Sequence, residues 1–333
     1  MTTPPGPVAI MGAGSVGCFI GGRLQAAGAT VQFIGRPRVL QALREHGLAL
    51  SDIDAPRIAL PAASLHLQDA PDAAAKLVLL CVKSGATADA ARQLVAVVPP
   101  GTLVVSMQNG VSNAETAAAA APGLTWLPGM VPFNIAEIGP GQFHRGTGGA
   151  LAAQDHPALR PWLPLFAAAG LPLSLHADLR PVQWGKLLLN LNNPVNALSG
   201  LPLRAQLLDR DCRIVFAKLQ DEALAALRAA GIQPAQLLPL PPQRMPGLLR
   251  LPTWLFRRVA SRMLRIAPQA RSSMADDLAL GRPTEVDAIC GAVVRLAQAH
   301  GGSAACNERI VSLLQAPRPS AMGGKALRAA LGV

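Results

Sequence analysis

A chain of 333 residues is long for one ordinary domain and suits two. With 50% of its residues hydrophobic and 15% charged it has ample material for packed cores, which excludes a disordered chain. Its longest clean apolar run, residues 77–82, falls far short of the roughly 18 residues of a membrane span.

The opening Met-Thr-Thr-Pro-Pro-Gly-Pro has no basic residues ahead of an apolar stretch, so a secretory signal is not expected and a cytoplasmic location is. Cys18, Cys81, Cys212, Cys290 and Cys306 are scattered singly, which predicts small buried hydrophobes, with no disulfide framework and no metal. Thirty Lys and Arg against 19 Asp and Glu give a net charge of +11. The excess is uneven: no acid lies between Glu222 and Asp276, while arginines recur through that segment.

In the first half, short apolar runs alternate with helix-like segments, the pattern of a parallel α/β sheet. Residues 8–11 read as a strand, 15–27 as a helix and 30–34 as the second strand. Residues 77–82 and 102–106 read as buried central strands. Further strands, expected antiparallel, fall around 126–133, 142–144 and 150–152. From about Pro181 long helical stretches take over: 184–198, 212–230, 252–266, 272–280 and 284–300, with a proline-rich loop at 239–246. The expected organisation is α/β: a Rossmann-type dinucleotide-binding domain over residues 1–176, then an all-α domain over residues 177–333.

The first strand runs directly into Gly12-Ala13-Gly14-Ser15-Val16-Gly17, which fits G-x-G-x-x-G and opens a helix. In that context the first glycine makes the tight turn, the second admits a pyrophosphate, and the third lets helix and strand pack closely. The phosphates then rest on the N–H groups of the helix N-terminus. At the end of the second strand, where NAD-binding domains carry an acid for the ribose diol, the chain reads Gly35-Arg36-Pro37-Arg38, with no acid before Glu45. A guanidinium can grip a 2′-phosphate that a carboxylate would repel, so Arg36 argues for NADP(H); a solvated surface arginine is the bland alternative.

Three further pieces carry polar residues that a purely structural element does not need. Gln108-Asn109-Gly110 follows the strand ending at Ser106, on the side of a parallel sheet where ligands bind. In Trp184-Gly-Lys186-Leu-Leu-Leu-Asn190-Leu-Asn-Asn193-Pro194 the lysine, Asn190 and Asn193 share one helix face, and Pro194 should kink the helix there. That face is either a site or a solvated stripe. The third piece is Ser272-Ser273-Met274-Ala-Asp276-Asp277 followed by Thr284-Glu285-Val-Asp287. Thr284 and Asp287 form a capping-box-like start to a helix, which makes Asp287 structural, and Glu285 in the first turn could equally serve the helix dipole.

Together these pieces resemble the ketopantoate reductase family (2-dehydropantoate 2-reductase) from the glycine loop to about His300. The resemblance implies reduction of 2-dehydropantoate to pantoate with NADPH, on the way to pantothenate and coenzyme A. By matching motif, Lys186 resembles the family's proton donor and Asn190 its first substrate amide, while Ser273 resembles the residue that holds the substrate carboxylate. Arg36, Lys83, Asn109 and Glu285 resemble cofactor-side positions. The amide before proline, Asn193, stands seven residues after the lysine, one fewer than the family's common spacing. Either the helix carries an altered turn or Asn193 acts from a shifted place.

The expected chemistry is hydride delivery to the C2 ketone of a 2-oxo acid, with Lys186 stabilising and protonating the oxygen and Asn190, Asn193 and Ser273 orienting the substrate. The site is expected in a cleft between the domains. Two rival readings are an NADPH-dependent reductase of another branched 2-oxo acid and a non-catalytic NADPH-binding sensor. A third makes the arginine-rich segment, with Trp254, Leu255, Phe256, Val259 and Leu264, an amphipathic membrane or nucleic-acid contact. A helix packed on the core with a solvated basic face is preferred. The expected partner is a small 2-oxo acid, with no nucleic acid, no stable membrane association and a homodimer as candidate assembly.

Overall fold

The computed structural model describes residues 4–316 and 321–333. The chain divides into two compact units, one ending at Leu179 and one running from Arg180 to Val333.

The first unit contains twelve described strands: β1 (Val8–Met11), β2 (Val31–Ile34), β3 (Leu48–Asp52), β4 (Ile58–Leu60), β5 (His66–Gln68), β6 (Leu77–Leu80), β7 (Leu103–Ser106), β8 (Thr125–Met130), β9 (Ile135–Gly139), β10 (Gln142–Arg145), β11 (Leu151–Gln154) and β12 (Leu173–His176). Its helices are α1 (Ser15–Ala26), α2 (Pro37–His46), α3 (Thr87–Val95), α4 (Asn113–Ala120) and α5 (Leu163–Ala168). The main sheet has the order β12-β11-β8-β7-β6-β1-β2-β5. From β5 to β8 every neighbour is parallel, and only β11 turns antiparallel against β8. The order reverses between β1 and β6, the point at which doubly wound sheets bind their ligands.

Alternation along the strands explains why helices cover both faces. Val8, Ile10, Phe33, Leu77, Leu79 and Val105 pack with Phe19, Ile20 and Leu24 of α1. Ala9, Met11, Val78, Leu80 and Val104 pack with Ala90, Ala91 and Leu94 of α3 and Ala117 of α4. Strands buried on both sides read as continuous apolar runs, which is why they were visible in the sequence.

Two features differ from the sequence expectation. The strand at 125–130 is parallel to β7, so antiparallel pairing starts one strand later than expected. Residues 142–145 belong to a separate four-stranded sheet, β4-β3-β10-β9. Buried Asp52 on β3 ties that sheet to α1, accepting from Arg23 at 3.0 Å and Arg145 at 2.8 Å.

The second unit is helical among its described residues: α6 (Arg180–Asn190), α7 (Asn192–Ser199), α8 (Leu203–Leu208), α9 (Arg210–Ala229), α10 (Met245–Arg250), α11 (Thr253–Val259), α12 (Ser273–Ala279), α13 (Ala292–Ala299), α14 (Ala305–Gln315) and α15 (Gly324–Ala330). None is long and apolar enough to cross a membrane. The long α9 is the hub and packs against α7, α8, α10, α13, α14 and α15. Asp209 caps its start by accepting from the Cys212 N–H at 3.0 Å. Glu222, midway along it, accepts from the backbone N–H groups of Cys306 and Asn307 and so caps α14.

Two helical expectations are corrected here. The helix expected over 252–266 ends at Val259, because Phe256 alone of its apolar side chains is fully buried and no continuous apolar face extends it. The ladder expected from Thr284 instead begins as a π-helical turn, Asp287–Gly291, with no side-chain cap. Asp287 pairs with Arg295 at 2.9 Å instead of closing a capping box, and Arg295 also serves the Asp287 carbonyl.

Arg213 on α9 is fully buried and faces carbonyl groups instead of a carboxylate. It donates to Leu207 and Leu208 at the end of α8, to Leu249 and Leu251 around the end of α10, and to Thr253 Oγ1. The guanidinium lies 4.3 Å from the Phe256 ring centre. A cation at two helix C-termini satisfies carbonyls that the helices leave orphaned. Arg213→Met should therefore lower the unfolding free energy by about 3–5 kcal/mol, since each stranded carbonyl costs about 1 kcal/mol or more. Urea titration would show it; a change under 1 kcal/mol would mean that water serves these groups equally well.

Candidate active site

The glycine loop leaves β1 and enters α1 with each glycine in a different steric situation. Gly12 has φ +112°, and a Cβ there would lie 2.5 Å from the Val82 nitrogen, so only glycine makes this turn against β6. A Cβ on Gly17 would fall 2.2 Å from the Gly12 carbonyl oxygen and 2.7 Å from Ile10, which fixes the close contact of helix and strand. Gly14 is the opposite case: a Cβ there would meet nothing within 4 Å. Gly14 is also the N-cap of α1, with no side-chain cap and no acid in the first turn. Open space before an uncapped helix N-terminus fits a pyrophosphate. Ala13, between the first two glycines, donates to the Ile34 carbonyl at 2.8 Å and pins the loop to β2.

Arg36 follows β2 as the exposed N-cap residue of α2, and its carbonyl accepts from Val39 and Leu40. Arg38, two residues on, is engaged by Glu137 at 3.3 Å. Lys83 follows β6 and is partly exposed.

Asn109 is held by a network that the sequence did not reveal. Its carbonyl accepts from Asn113 Nδ2 at 2.6 Å and Ser84 Oγ at 3.1 Å. Buried Gln108 accepts from Ser106 and donates to Thr87 and to the Val82 carbonyl, tying the loops after β6 and β7 together. Gln108 thus serves the loops structurally. The structure therefore gathers the glycine loop, Lys83 and Asn109 at the carboxyl ends of β1, β6 and β7.

In the helical unit, Lys186 and Asn190 lie one turn apart on α6, and Asn193 lies beyond an interruption at Leu191, in the first turn of α7. The helix expected over 184–198 is interrupted at Leu191. The interruption falls three residues before Pro194, which offers no N–H to the Asn190 carbonyl. Asn190 is buried. Burial pulls the Lys186 ammonium down from 10.5 to about 8.

Ser273 opens α12 and is exposed, beside buried Ser272, whose Oγ accepts from Ala275 N–H and donates to the Asn193 carbonyl. Asn196, fully buried on α7 and missed by sequence reasoning, accepts from Ser272 N–H at 2.9 Å and donates to the Leu201 carbonyl. The amide pair and the serine pair are thereby joined. Its only sequence signal was one more asparagine in an apolar helix. Glu285 sits just before the π turn, outside the first helical turn expected for it.

A doubly wound sheet with a phosphate-ready glycine loop, in a chain that also presents a desolvated lysine beside amides, defines a Rossmann-type oxidoreductase. Residues 8–158 match the family model described as ketopantoate reductase PanE/ApbA, and residues 178–318 match its C-terminal counterpart. The chain belongs to the ketopantoate reductase family.

It is 30% identical over 314 residues to a 2-dehydropantoate 2-reductase of Mycobacterium tuberculosis, covering 93% of this chain and 97% of that one. It is 29% identical over 301 residues to that of Halobacterium salinarum, covering 88% and 92%. A crystal structure of a PanE/ApbA family ketopantoate reductase from Ralstonia eutropha JMP134 superposes with a TM-score of 0.77 at 29% identity, over 98% of this chain and all of that one.

The three glycine environments make separable forecasts. Gly14→Ala should leave thermal stability close to wild type while weakening dinucleotide binding, because its methyl group occupies only the open approach. Gly17→Ala should destabilise the fold by about 1–3 kcal/mol through overpacking. Calorimetry and fluorescence titration of both variants check this; a Gly14 variant with unchanged affinity would remove the loop from binding.

Proposed function

We propose that this protein reduces the C2 ketone of 2-dehydropantoate to pantoate using NADPH, within pantothenate and coenzyme A biosynthesis. The observation that carries the reading is Lys186: an ammonium brought by burial to about 8, on the same helix face as buried Asn190. The activity named for the mycobacterial and haloarchaeal relatives supports the choice of substrate.

Bound NADPH supplies the hydride. Gly12, Ala13, Gly14, Ser15, Val16 and Gly17 hold its pyrophosphate, Arg36 holds the 2′-phosphate, and Lys83, Asn109 and Glu285 make the remaining cofactor-side contacts. As C2 is reduced, charge grows on the ketone oxygen, and Lys186 Nζ first stabilises that charge and then transfers its proton to the oxygen. A lysine near 8 suits the task, since it is protonated at neutral pH yet releases its proton more readily than a solvated one. Asn190 and Asn193 orient the substrate, and the Ser273 hydroxyl donates to its carboxylate.

A second reading, reduction of another branched 2-oxo acid, is favoured by one observation. The interruption at Leu191 moves Asn193 onto a separate helix, which alters the substrate's amide contacts. NADPH oxidation measured with 2-dehydropantoate and a panel of branched 2-oxo acids separates the two.

Replacing Arg36 with Asp should weaken NADPH binding by roughly 10–100-fold, the worth of a charge-assisted contact of about 1.5–3 kcal/mol, and relieve the bias against NADH. Titration with both cofactors tests it; unchanged NADPH affinity would make Arg36 a bystander. Lys186→Ala should lower kcat by about 10²–10⁴-fold with NADPH binding retained. The sign of the pH effect follows from the role. The proton donor must be charged, so wild-type kcat should fall as pH rises through about 8, and the variant should lack that limb. Near wild-type turnover in a variant that binds NADPH normally would exclude Lys186 from the chemistry.

A further inference from the structure

We infer that Gln220 is a positioning residue for the lysine-bearing helix, an inference that rests on the reading of Lys186 as proton donor. α6 stops at Asn190 because the chain is interrupted at Leu191 and Pro194 has no N–H for the Asn190 carbonyl. Side chains from three other helical segments hold the interrupted stretch. Gln220 Nε2 on α9 donates to the Leu188 carbonyl at 3.1 Å, and Gln206 Nε2 on α8 donates to Asn192 Oδ1 at 3.1 Å. Ser272 Oγ donates to the Asn193 carbonyl at 3.3 Å. Gln206 and Ser272 act beyond the break. Gln220 acts before it, on the turn that carries Lys186 and Asn190.

The surroundings of Gln220 argue against a packing role. The residue is 2% exposed, and its Oε1 has no hydrogen-bond partner. It lines a cavity of about 20 Å³ with Leu188, Leu189, Leu237, Leu240 and Met245. A leucine would fill such a place without burying an unserved oxygen, which costs about 1–3 kcal/mol. What the amide gives in return is a donor for a carbonyl at a helix end. The same wall presses on the lysine's own turn, since a Cβ on Gly185 would lie 2.5 Å from the Ala235 carbonyl oxygen.

Without the Gln220 donor the Leu188 carbonyl loses this tie to α9, so the last turn of α6 loosens and its surroundings become wetter. Burial is what lowers the pKa of the Lys186 ammonium, so hydration returns it towards its ordinary value.

The test is Gln220→Met, which keeps the length and apolar bulk and deletes the donor, compared with wild type for kcat, KM, the pH of the descending kcat limb and melting temperature. The expected result is a kcat about tenfold lower with KM within about twofold, and a limb moved upward from about 8. A lower melting temperature with kcat and the limb unchanged would overturn the inference and leave Gln220 a packing residue. Should the Met variant fail to fold, Gln220→Asn, which withdraws the donor by one methylene, is read in the same way. If wild type reduces no 2-oxo acid, the proton-donor reading fails by itself. NMR titration of ¹³C-labelled lysines in both proteins then still decides the positioning: an upward-shifted Lys186 supports it, and an unshifted one overturns it.

Discussion

Pro194 cannot donate to the carbonyl four residues before it, and much of the helical unit is arranged around that one absent hydrogen bond. A continuous helix over this stretch would keep Lys186, Asn190 and Asn193 on a single regular face. The break at Leu191 divides them between α6 and α7, and side chains of α9, α8 and the start of α12 donate around it, to the Leu188 carbonyl, the Asn192 side-chain amide and the Asn193 carbonyl. Gln220 and Ser272 are thereby partners of the backbone on either side of the break, and Gln206 holds the Asn192 side chain between them. Asn196 extends the same logic, fastening α7 to the serine pair through a fully buried amide.

The Rossmann unit solves a different problem, close approach instead of interruption. Its loop works because two glycines are hemmed in by backbone and one between them is open. Two buried polar assemblies then hold the surroundings of that loop: the Ser106, Gln108, Thr87 and Asn113 network behind Asn109, and Asp52 between Arg23 and Arg145 beneath α1. Fully partnered groups of this kind rigidify a core, whereas half-partnered ones would loosen it.

Periodicity and punctuation made the frame legible in advance. The apolar runs at β1, β2, β6 and β7 are buried on both faces, and the glycine hexapeptide sat between a strand and a helix, so strand type, helix start and phosphate loop could all be read. The interruption before Pro194 could also be read, because proline acts through its own covalent structure. The second sheet could not. Of its strands β3, β4, β9 and β10 only β10 was anticipated, all are short and incompletely buried, and the central β3–β10 pairing joins residues 93 positions apart, as between Ser51 and His144. The early end of α11 and the π turn at Asp287 were likewise hidden, since each is decided by which side chains find tertiary partners. Gln206, Arg213 and Gln220 carried no local signal, because their acceptors, a side-chain amide for Gln206 and backbone carbonyls for Arg213 and Gln220, are brought to them only in the folded chain.

The Arg213 clamp has a further consequence for how this protein responds to protons. Its acceptors are four backbone carbonyls and a hydroxyl, none of which titrates, and a guanidinium keeps its charge across any ordinary working range. A clamp built on an aspartate would have released α8 and α10 in acid. This one is silent to pH, so an acid-sensitive step where those helices meet α9 falls to other groups, Asp209 at the start of α9 and the Asp221–Arg250 pair between α9 and α10.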